Sequence, residues 1–511
     1  MKLDKRKKLG AYYTDNELVN FLVKKVIKKE PNNILEPSFG DGIFINSLKQ
    51  NKYKKNIVGI EIDKKTFSSY KINSSNIKIV NKNFLSYNGQ KFDAVIGNPP
   101  FVRTRFLNTA QKKIAVNYYK KHLNLKSLSD PSIWLLFLYH SISLLNKGGT
   151  IAFILPYDFT FVSYAKPIWN LFFSKFGKIN IYHTKKRYFK DILQDTIVFI
   201  AEDYGKKTNK LTYTTSKKGI LEKKNSKSII TINDILKDTK PFKRALLPKK
   251  FFSIEKKINH KLENLSETAK FHIGYVSGNK KYFHPSKEII KKFKIKKHSL
   301  IKTIADTAVL KNCNLYTSQL KKSQLNDLFY PIKPSKADKN YILFGQKNNF
   351  DKQHKTKIRN EWYKVPLIKE PDYLISVFEE FPVMILNDGN YMATNTFLCG
   401  YLKNINEKKI LLNKWFSSLT KLYIELEVHS LGGGMIVMVP QEVGRIKLPK
   451  IKHVDNKYLK KIEQLANKKD LKGILRLGDQ VILKKYLKLS EDEIIVIKKS
   501  IEALKYWRNP T

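Results

Sequence analysis

Hydrophobic positions along the chain follow two rhythms. Over roughly the first 200 residues, short apolar runs alternate with stretches of helical spacing. The runs Asn33-Ile34-Leu35-Glu36-Pro37, Asn56-Ile57-Val58-Gly59-Ile60-Glu61-Ile62-Asp63, Ile77-Lys78-Ile79-Val80 and Phe92-Asp93-Ala94-Val95-Ile96-Gly97 predict four strands. A fifth is Thr150-Ile151-Ala152-Phe153-Ile154-Leu155, and two more lie near residues 178–182 and 196–201. Ile43–Gln50 has helical spacing, and residues 131–145 predict a long apolar helix closed by a turn at Gly148-Gly149. Strands alternating with helices predict a mostly parallel sheet covered on both faces. Such sheets bind ligands at the carboxyl ends of their strands. Beyond about residue 205 the rhythm changes. Residues 205–249 are lysine-rich with short β-like pieces such as Ser228-Ile229-Ile230-Thr231-Ile232, and read as the exit from a first domain. Residues 250–450 mix short strands, loops and aromatics, and residues 455–507 carry Leu and Ile at helical spacing between lysines. No repeat at solenoid periods is visible.

Composition narrows the class. The 511 residues suffice for two or three domains, and a hydrophobic content of 42% marks a folded chain. Lys and Arg total 97 against 44 Asp and Glu, a formal net charge of +53. The excess predicts a polyanionic partner, most simply nucleic acid. A lysine-biased composition would account for part of it, though such a bias should raise Glu as well. The two cysteines, Cys313 and Cys399, form no CxxC pattern, so neither a disulfide framework nor a zinc site is expected and a reducing cytoplasm fits. The first nine residues lack the apolar region of a signal peptide. The longest apolar run, residues 133–145, is too short to span a bilayer.

Unusual polar residues fall at the predicted strand ends. Asn98-Pro99-Pro100-Phe101 follows the fourth strand. An amide oxygen and a proline-flanked carbonyl can accept hydrogen bonds from an NH2 group, and the ring can stack on the attached plane; an Asn-Pro-Pro turn can also simply stop a strand. Glu36-Pro37-Ser38-Phe39-Gly40-Asp41-Gly42 has the form of a nucleotide-binding turn, without G-x-G-x-x-G and without the P-loop lysine. An ordinary tight turn is the plainer reading. Glu61, about twenty residues on, stands where an acid grips ribose hydroxyls. Glu36 and Asp41 would repel a phosphate and suit an ammonium or sulfonium, which favours S-adenosylmethionine over NAD or ATP. Asn83-Phe84 after the third strand can bond and stack on an adenine, or Phe84 can pack in the core.

Taken in order, these residues are similar to the amino-group DNA methyltransferases, specifically the gamma arrangement of adenine-N6 enzymes of type II restriction-modification systems. Gly10-Ala11-Tyr12-Tyr13-Thr14 resembles the G-x-x-Y-T cofactor segment, residues 35–42 the cofactor loop, and Ile60-Glu61-Ile62-Asp63 the ribose-binding strand end. Asn83-Phe84-Leu85 resembles D-F-L, Asn98 to Phe101 is N-P-P-[YF], and residues 144–156 match L-L-x-x-G-G…P. More weakly, Gly274-Tyr275-Val276-Ser277-Gly278-Asn279 resembles a loop that opens the target-recognition domain; Trp362-Tyr363 and residues 432–435 are similar to parts of that region. Asn83 departs from the usual Asp, and Asp15 from the usual Pro.

The resemblance implies a Rossmann-like α/β core with a mixed, mostly parallel seven-stranded sheet over residues 1–240. It implies a C-terminal α+β target-recognition domain with a helical end over residues 241–511. It implies site-specific transfer of a methyl group from S-adenosylmethionine to a flipped-out adenine in double-stranded DNA. Asn98 and Pro99 would accept the amine's N–H bonds, Pro100 stiffen the turn, and Phe101 stack on the base. Phe189 holds the place of a second stacking aromatic, or is simply a hydrophobic loop residue. Cofactor contacts fall to Tyr13, Thr14, Glu36, Ser38, Gly40, Glu61, Ile62, Asn83, Phe84 and Asn98, and DNA contacts to Ser277, Gly278 and Asn279 besides the two rings. No metal and no membrane are expected, and a cognate restriction endonuclease would act separately. Two other enzymes share the motif's chemistry: an RNA adenine methyltransferase and a glutamine-N5 protein methyltransferase. The cofactor segment near residue 10 and the 300 residues after the core disfavour the latter. A non-enzymatic DNA-binding subunit is disfavoured by the intact Asn98 and Phe101. A fused nuclease is not expected, because no P-D…[DE]-x-K pattern follows the core.

Overall fold

A computed structural model describes residues 14–509 except 71–73, 124–131, 190–194, 224, 313–314, 368, 380–381, 405–407, 431–433 and 454. The chain divides into two compact units, Met1–Leu246 with Asn509–Thr511, and Leu247–Arg508.

The first unit is built on one sheet. Its strands are β1 (Asn33–Glu36), β2 (Asn56–Glu61), β3 (Ile77–Asn81), β4 (Phe92–Gly97), β5 (Leu145–Pro156), β6 (Phe176–Thr184), β7 (Thr196–Tyr204), β8 (Lys210–Ser216) and β9 (Ser226–Thr231). Their spatial order is β3-β2-β1-β4-β5-β7-β6-β8-β9. From β3 to β5 every neighbour is parallel; β7 runs antiparallel between β5 and β6. The chain leaves β1 outward to β3, then returns to lay β4 beside β1. That reversal opens a crevice at the carboxyl ends of β1 and β4, where ligands bind in open α/β sheets.

Side chains alternate across the sheet, as strand geometry requires. Ile34, Ile57, Ala94, Ile96, Ala152 and Ile154 face one side, with helices α1 (Asn16–Ile27) and α2 (Ile43–Gln50). Leu35, Val58, Val95, Phe153 and Leu155 face the other, with α3 (Ile133–Ser143) and α4 (Lys166–Lys175). Helix α3 buries nearly its whole circumference, so its sequence shows a continuous apolar run instead of a stripe. Asp15 starts α1: its carboxylate accepts a hydrogen bond from the Glu17 amide at 2.8 Å.

Two features differ from the sequence expectation. The sheet has nine strands, not seven. The lysine-rich segment folds as the β8–β9 hairpin at the sheet edge, where β8 pairs parallel to β6. Charged residues at a sheet edge block edge-to-edge aggregation; here lysines flank two strands made mostly of Thr and Ser, which leaves little apolar alternation to read. Strand β5 also begins earlier, at Leu145. The Gly148-Gly149 pair is not a turn before it but lies within the strand, next to a register shift between Phe92 and Ala94 of β4.

The second unit is α+β. Its four-stranded antiparallel sheet orders Ala269–Ile273, Phe397–Leu402, Tyr373–Ser376 and Met384–Leu386, and a three-stranded sheet orders Asn326–Phe329, Leu300–Ile304 and Met392–Ala393. An aromatic cluster of Tyr282, Phe283, Phe329 and Tyr341 fills one core. Helices Asn456–Asn467, Leu471–Gly478 and Glu491–Arg508 end the unit, with a π-helical turn over Asp479–Tyr486. Among the described residues no helix is long and apolar enough to cross a membrane, and no cluster of His, Cys, Asp or Glu could hold a metal.

Candidate active site

The crevice between β1 and β4 is lined by the turn after β1. Gly40 and Gly42 both adopt positive φ, 56° and 79°. A Cβ on Gly42 would lie 2.8 Å from the rings of Phe39 and Tyr70, whereas one on Gly40 would meet nothing within 4 Å. Gly42 is therefore needed for packing, and the backbone at Gly40 is bared to open space. Glu61 at the end of β2 binds this turn: its Oε2 accepts from the Gly40 amide at 2.9 Å and its Oε1 from the Asp63 amide at 2.7 Å. A carboxylate has further lone pairs, so both oxygens can still accept a hydroxyl proton. Next to it Ile62 is 42% exposed, an apolar surface beside an acid, which suits the face of a nucleoside.

Glu36 is 1% exposed and its Oε2 has no partner among the described residues. Burial, then the charges of Asp41 and Glu61, push its pKa well above the ordinary carboxylate range. Burial raises Glu61 too, against the pull of its backbone hydrogen bonds. An orphaned acid, two neighbouring carboxylates and an open glycine turn make a cradle for a cation, which fits the ammonium end of S-adenosylmethionine. The adenine-side residues are engaged with the protein itself. Asn83 caps a 3-10 turn through the Leu85 amide at 3.0 Å. Phe84 is 2% exposed, with its ring against Phe137 and His140 at 4.8 and 4.7 Å. Tyr13 lies outside the described residues.

Asn98 stands at the end of β4, where three separate segments meet. The Ser38 hydroxyl donates to the Asn98 backbone carbonyl at 2.9 Å. The Asn98 amide nitrogen donates to the Thr14 hydroxyl oxygen at 3.1 Å. This turns Oδ1 the other way, and that oxygen is buried with no partner among the described residues. An unmade hydrogen bond on a buried acceptor costs about 1–3 kcal/mol, which an incoming N–H would relieve. Pro99 and Pro100 contribute no N–H that could compete for it. Phe101 is half-buried where the cores of the two sheet faces meet, and Phe189, 4% exposed, packs into one of those same cores. The Thr14–Asn98 bond spans 84 residues and had no sequence signal beyond the two motifs themselves.

In the second unit, Gly278 takes φ 91°. The Asn279 side chain accepts from the Tyr282 amide at 2.9 Å and caps a short helix. Arg359, which no motif singles out, donates to the carbonyls of Val276 and Ser277 at 2.7 and 2.9 Å and lies over the Phe283 ring. It braces the loop from behind. Trp362 belongs to the aromatic packing around Tyr282.

The fold is that of a Rossmann-like methyltransferase. The description "Eco57I restriction-modification methylase" matches residues 19–189, and "Type II methyltransferase M.Eco57I, C-terminal domain" matches residues 239–483. The chain is thus similar to the Eco57I-type restriction-modification methyltransferases over most of both units, each match covering less than half of its length. The type II methyltransferase M.HincII of Haemophilus influenzae is 32% identical over 156 residues, covering 30% of this chain and 29% of that protein. M.AccI of Acinetobacter calcoaceticus is 24% identical over 426 residues, covering 78% and 76%. The type IIL restriction-modification enzyme MmeI, solved in complex with DNA, shares the fold with a TM-score of 0.59 at 14% identity, covering 99% of this chain and 80% of that one.

Proposed function

We propose that this chain is a site-specific DNA adenine-N6 methyltransferase, the modification enzyme of a restriction-modification system whose cognate endonuclease acts separately. The observation that carries the reading is the buried, unpartnered Oδ1 of Asn98 at the sheet's switch point. When bound, S-adenosylmethionine supplies an electrophilic methyl group on a sulfonium. Thr14, Glu36, Ser38, Gly40, Glu61 and Ile62 would hold it, with Tyr13 as a further contact and Asn83 and Phe84 shaping the adenine side.

An exocyclic adenine amine is a poor nucleophile because its lone pair is delocalised into the ring. Asn98 Oδ1 and the Pro99 carbonyl accept its two N–H bonds. That holds the nitrogen near tetrahedral geometry and frees the lone pair, and the two oxygen dipoles stabilise the positive charge that develops. The surplus proton leaves to solvent afterwards. Phe101 stacks on the base and Phe189 backs the pocket. The base must leave the duplex to reach them, which costs a few kcal/mol; stacking returns about 1–3 kcal/mol. The loop Ser277-Gly278-Asn279 in the second unit contributes to DNA recognition. The match of that unit to the C-terminal domain of M.Eco57I favours a DNA substrate over RNA or a protein glutamine.

The charge of +53 implies extensive contact with phosphates. Duplex affinity should fall on the order of 10³-fold or more between about 50 and 200 mM salt, as read by fluorescence anisotropy. A flat affinity over that range would remove DNA as the substrate.

Glu36 gives a second prediction. Its folded pKa lies above its ordinary value of 4.5. Its favourable effect on stability is therefore full below about 4.5 and is lost as pH rises through the folded value. Glu36→Gln should raise the melting temperature of the cofactor-free protein more at pH 8 than at pH 5. It should also weaken S-adenosylmethionine binding about ten- to a hundredfold, the worth of a hydrogen bond to a charged group. Unchanged binding in a calorimetric titration would take Glu36 out of the cofactor site.

A further inference from the structure

Residues 185–189, which follow β6, are held by contacts that neither the cofactor site nor the catalytic turn uses. Glu17, in the first turn of α1, accepts a hydrogen bond through Oε1 from the Tyr188 hydroxyl at 2.8 Å. Its Oε2 is paired with the Lys186 ammonium, which also lies 4.9 Å over the Tyr188 ring. The Tyr188 oxygen in turn accepts from the Ile220 amide, in the β8–β9 hairpin, at 2.7 Å. A Cβ on Gly219 would lie 2.8 Å from Glu17 Oε1 and 3.1 Å from the Tyr188 oxygen, so a side chain there would displace the junction. Burial opposes ionisation of Glu17, but the hydrogen bonds from Lys186 and Tyr188 hold its carboxyl below the ordinary range.

The flanking chain is tied as well. His183, at the end of β6, contacts Asp195 Oδ2 through Nε2 at 2.8 Å and the Tyr213 hydroxyl through Nδ1 at 2.7 Å. The Tyr157 amide donates to the Asp195 carbonyl at 2.8 Å. Lys185 and Lys186 donate their amides to the carbonyls of Ser216 and Lys218 at 3.0 and 2.9 Å.

The location gives this junction its meaning. Glu17 is three residues after Thr14, whose hydroxyl orients the Asn98 amide, and Asp15 between them caps the same helix. Tyr188 directly precedes Phe189, which packs in the same hydrophobic cluster as Phe101. We propose that Glu17 and Tyr188 are positioning residues: they lock the Thr14 segment, and through it the Asn98 carboxamide, in register with the Phe189 segment that backs the target base. The inference rests on the methyltransferase reading and adds to it a role for the β8–β9 hairpin, which supplies Gly219 and Ile220. On the proposed reading the Thr14 segment serves the cofactor and Asn98, and the Phe189 segment the target base. A rigid junction between them makes each ligand order the other's contacts, and such coupling is reciprocal.

The test compares the full-length protein with Tyr188→Phe, which keeps the ring and removes one hydroxyl, and with Glu17→Gln. Duplex affinity is measured by anisotropy with and without S-adenosylhomocysteine. In the wild type this ligand should tighten duplex binding about fivefold or more, the ordinary lower bound for coupled sites. In Tyr188→Phe the enhancement should shrink below about twofold, with affinity for S-adenosylhomocysteine alone changed by less than about threefold. The kcat should fall about ten- to a hundredfold, the scale of a 1 Å misplacement, at unchanged KM for S-adenosylmethionine. An enhancement and a kcat retained by both variants overturn the proposal, as does a wild type that binds both ligands without coupling. A wild type that binds neither ligand would instead overturn the methyltransferase reading itself. Should Tyr188→Phe fail to fold, Glu17→Gln, which keeps an acceptor of the same shape and loses only the charge, decides alone.

Discussion

Asn98→Ala should lower kcat on duplex DNA on the order of 10²- to 10³-fold, the cost of removing one preorganised group from a site of developing charge. The substitution deletes the buried acceptor Oδ1 and the N–H that points to Thr14. It leaves the backbone carbonyl that Ser38 grips, so the turn keeps its shape. The glycine turn and Glu61 lie on other strands and keep their mutual bonds. Affinity for S-adenosylmethionine should therefore fall far less than kcat, by under about tenfold, the worth of one ordinary hydrogen bond. Single-turnover methyl transfer and calorimetric cofactor titration on the same preparation separate the two effects. Equal losses in both would make Asn98 a cofactor ligand and not the group that prepares the amine.

The largest stability effect should come from the second unit. Arg508 donates to Glu425 through Nε and Nη2, both at 2.9 Å, and the two side chains are only 8% and 2% exposed. The pair joins the helix Ser418–Glu427 to the helix Glu491–Arg508. Removing either side chain breaks this largely buried ion pair, which costs about 3–5 kcal/mol. Arg508→Ala and Glu425→Ala should each lower stability by that amount in urea unfolding. The double variant should lose less than the sum, because the two side chains share one interaction. Single-variant losses below about 1 kcal/mol, the range of exposed pairs, would show that water reaches the pair.

What the sequence revealed of this molecule depended on how local the signal was. Phe92–Gly97 and Ile43–Gln50 fold over the predicted residues, because a buried parallel strand and an amphipathic helix each write their period into consecutive positions. The motif residues reach one crevice for the same reason: Ser38 and Asn98 each end a strand at the topological switch, and the strand order brings those ends together. Edge strands were harder. In β8 and β9 Thr and Ser hold most positions and lysines crowd the flanks, so a hairpin of the main sheet reads as a linker. Phe84 shows how a motif residue can be used by the core, since its ring packs against Phe137 and His140. Glu17 and Tyr188, 171 residues apart, and Arg359 behind the 276–277 carbonyls left no trace at all. Each is a single polar residue whose partner is chosen only by the folded backbone.

The most direct test of the central claim is to incubate the purified chain with S-adenosylmethionine and unmethylated genomic DNA and then sequence the product with a method that reads modified bases. The expected product is N6-methyladenine at a single short recognition sequence, formed on the order of 10²- to 10³-fold more slowly by Asn98→Ala. Methylated cytosine in place of adenine, or methyl groups on RNA or protein with none on DNA, would contradict it.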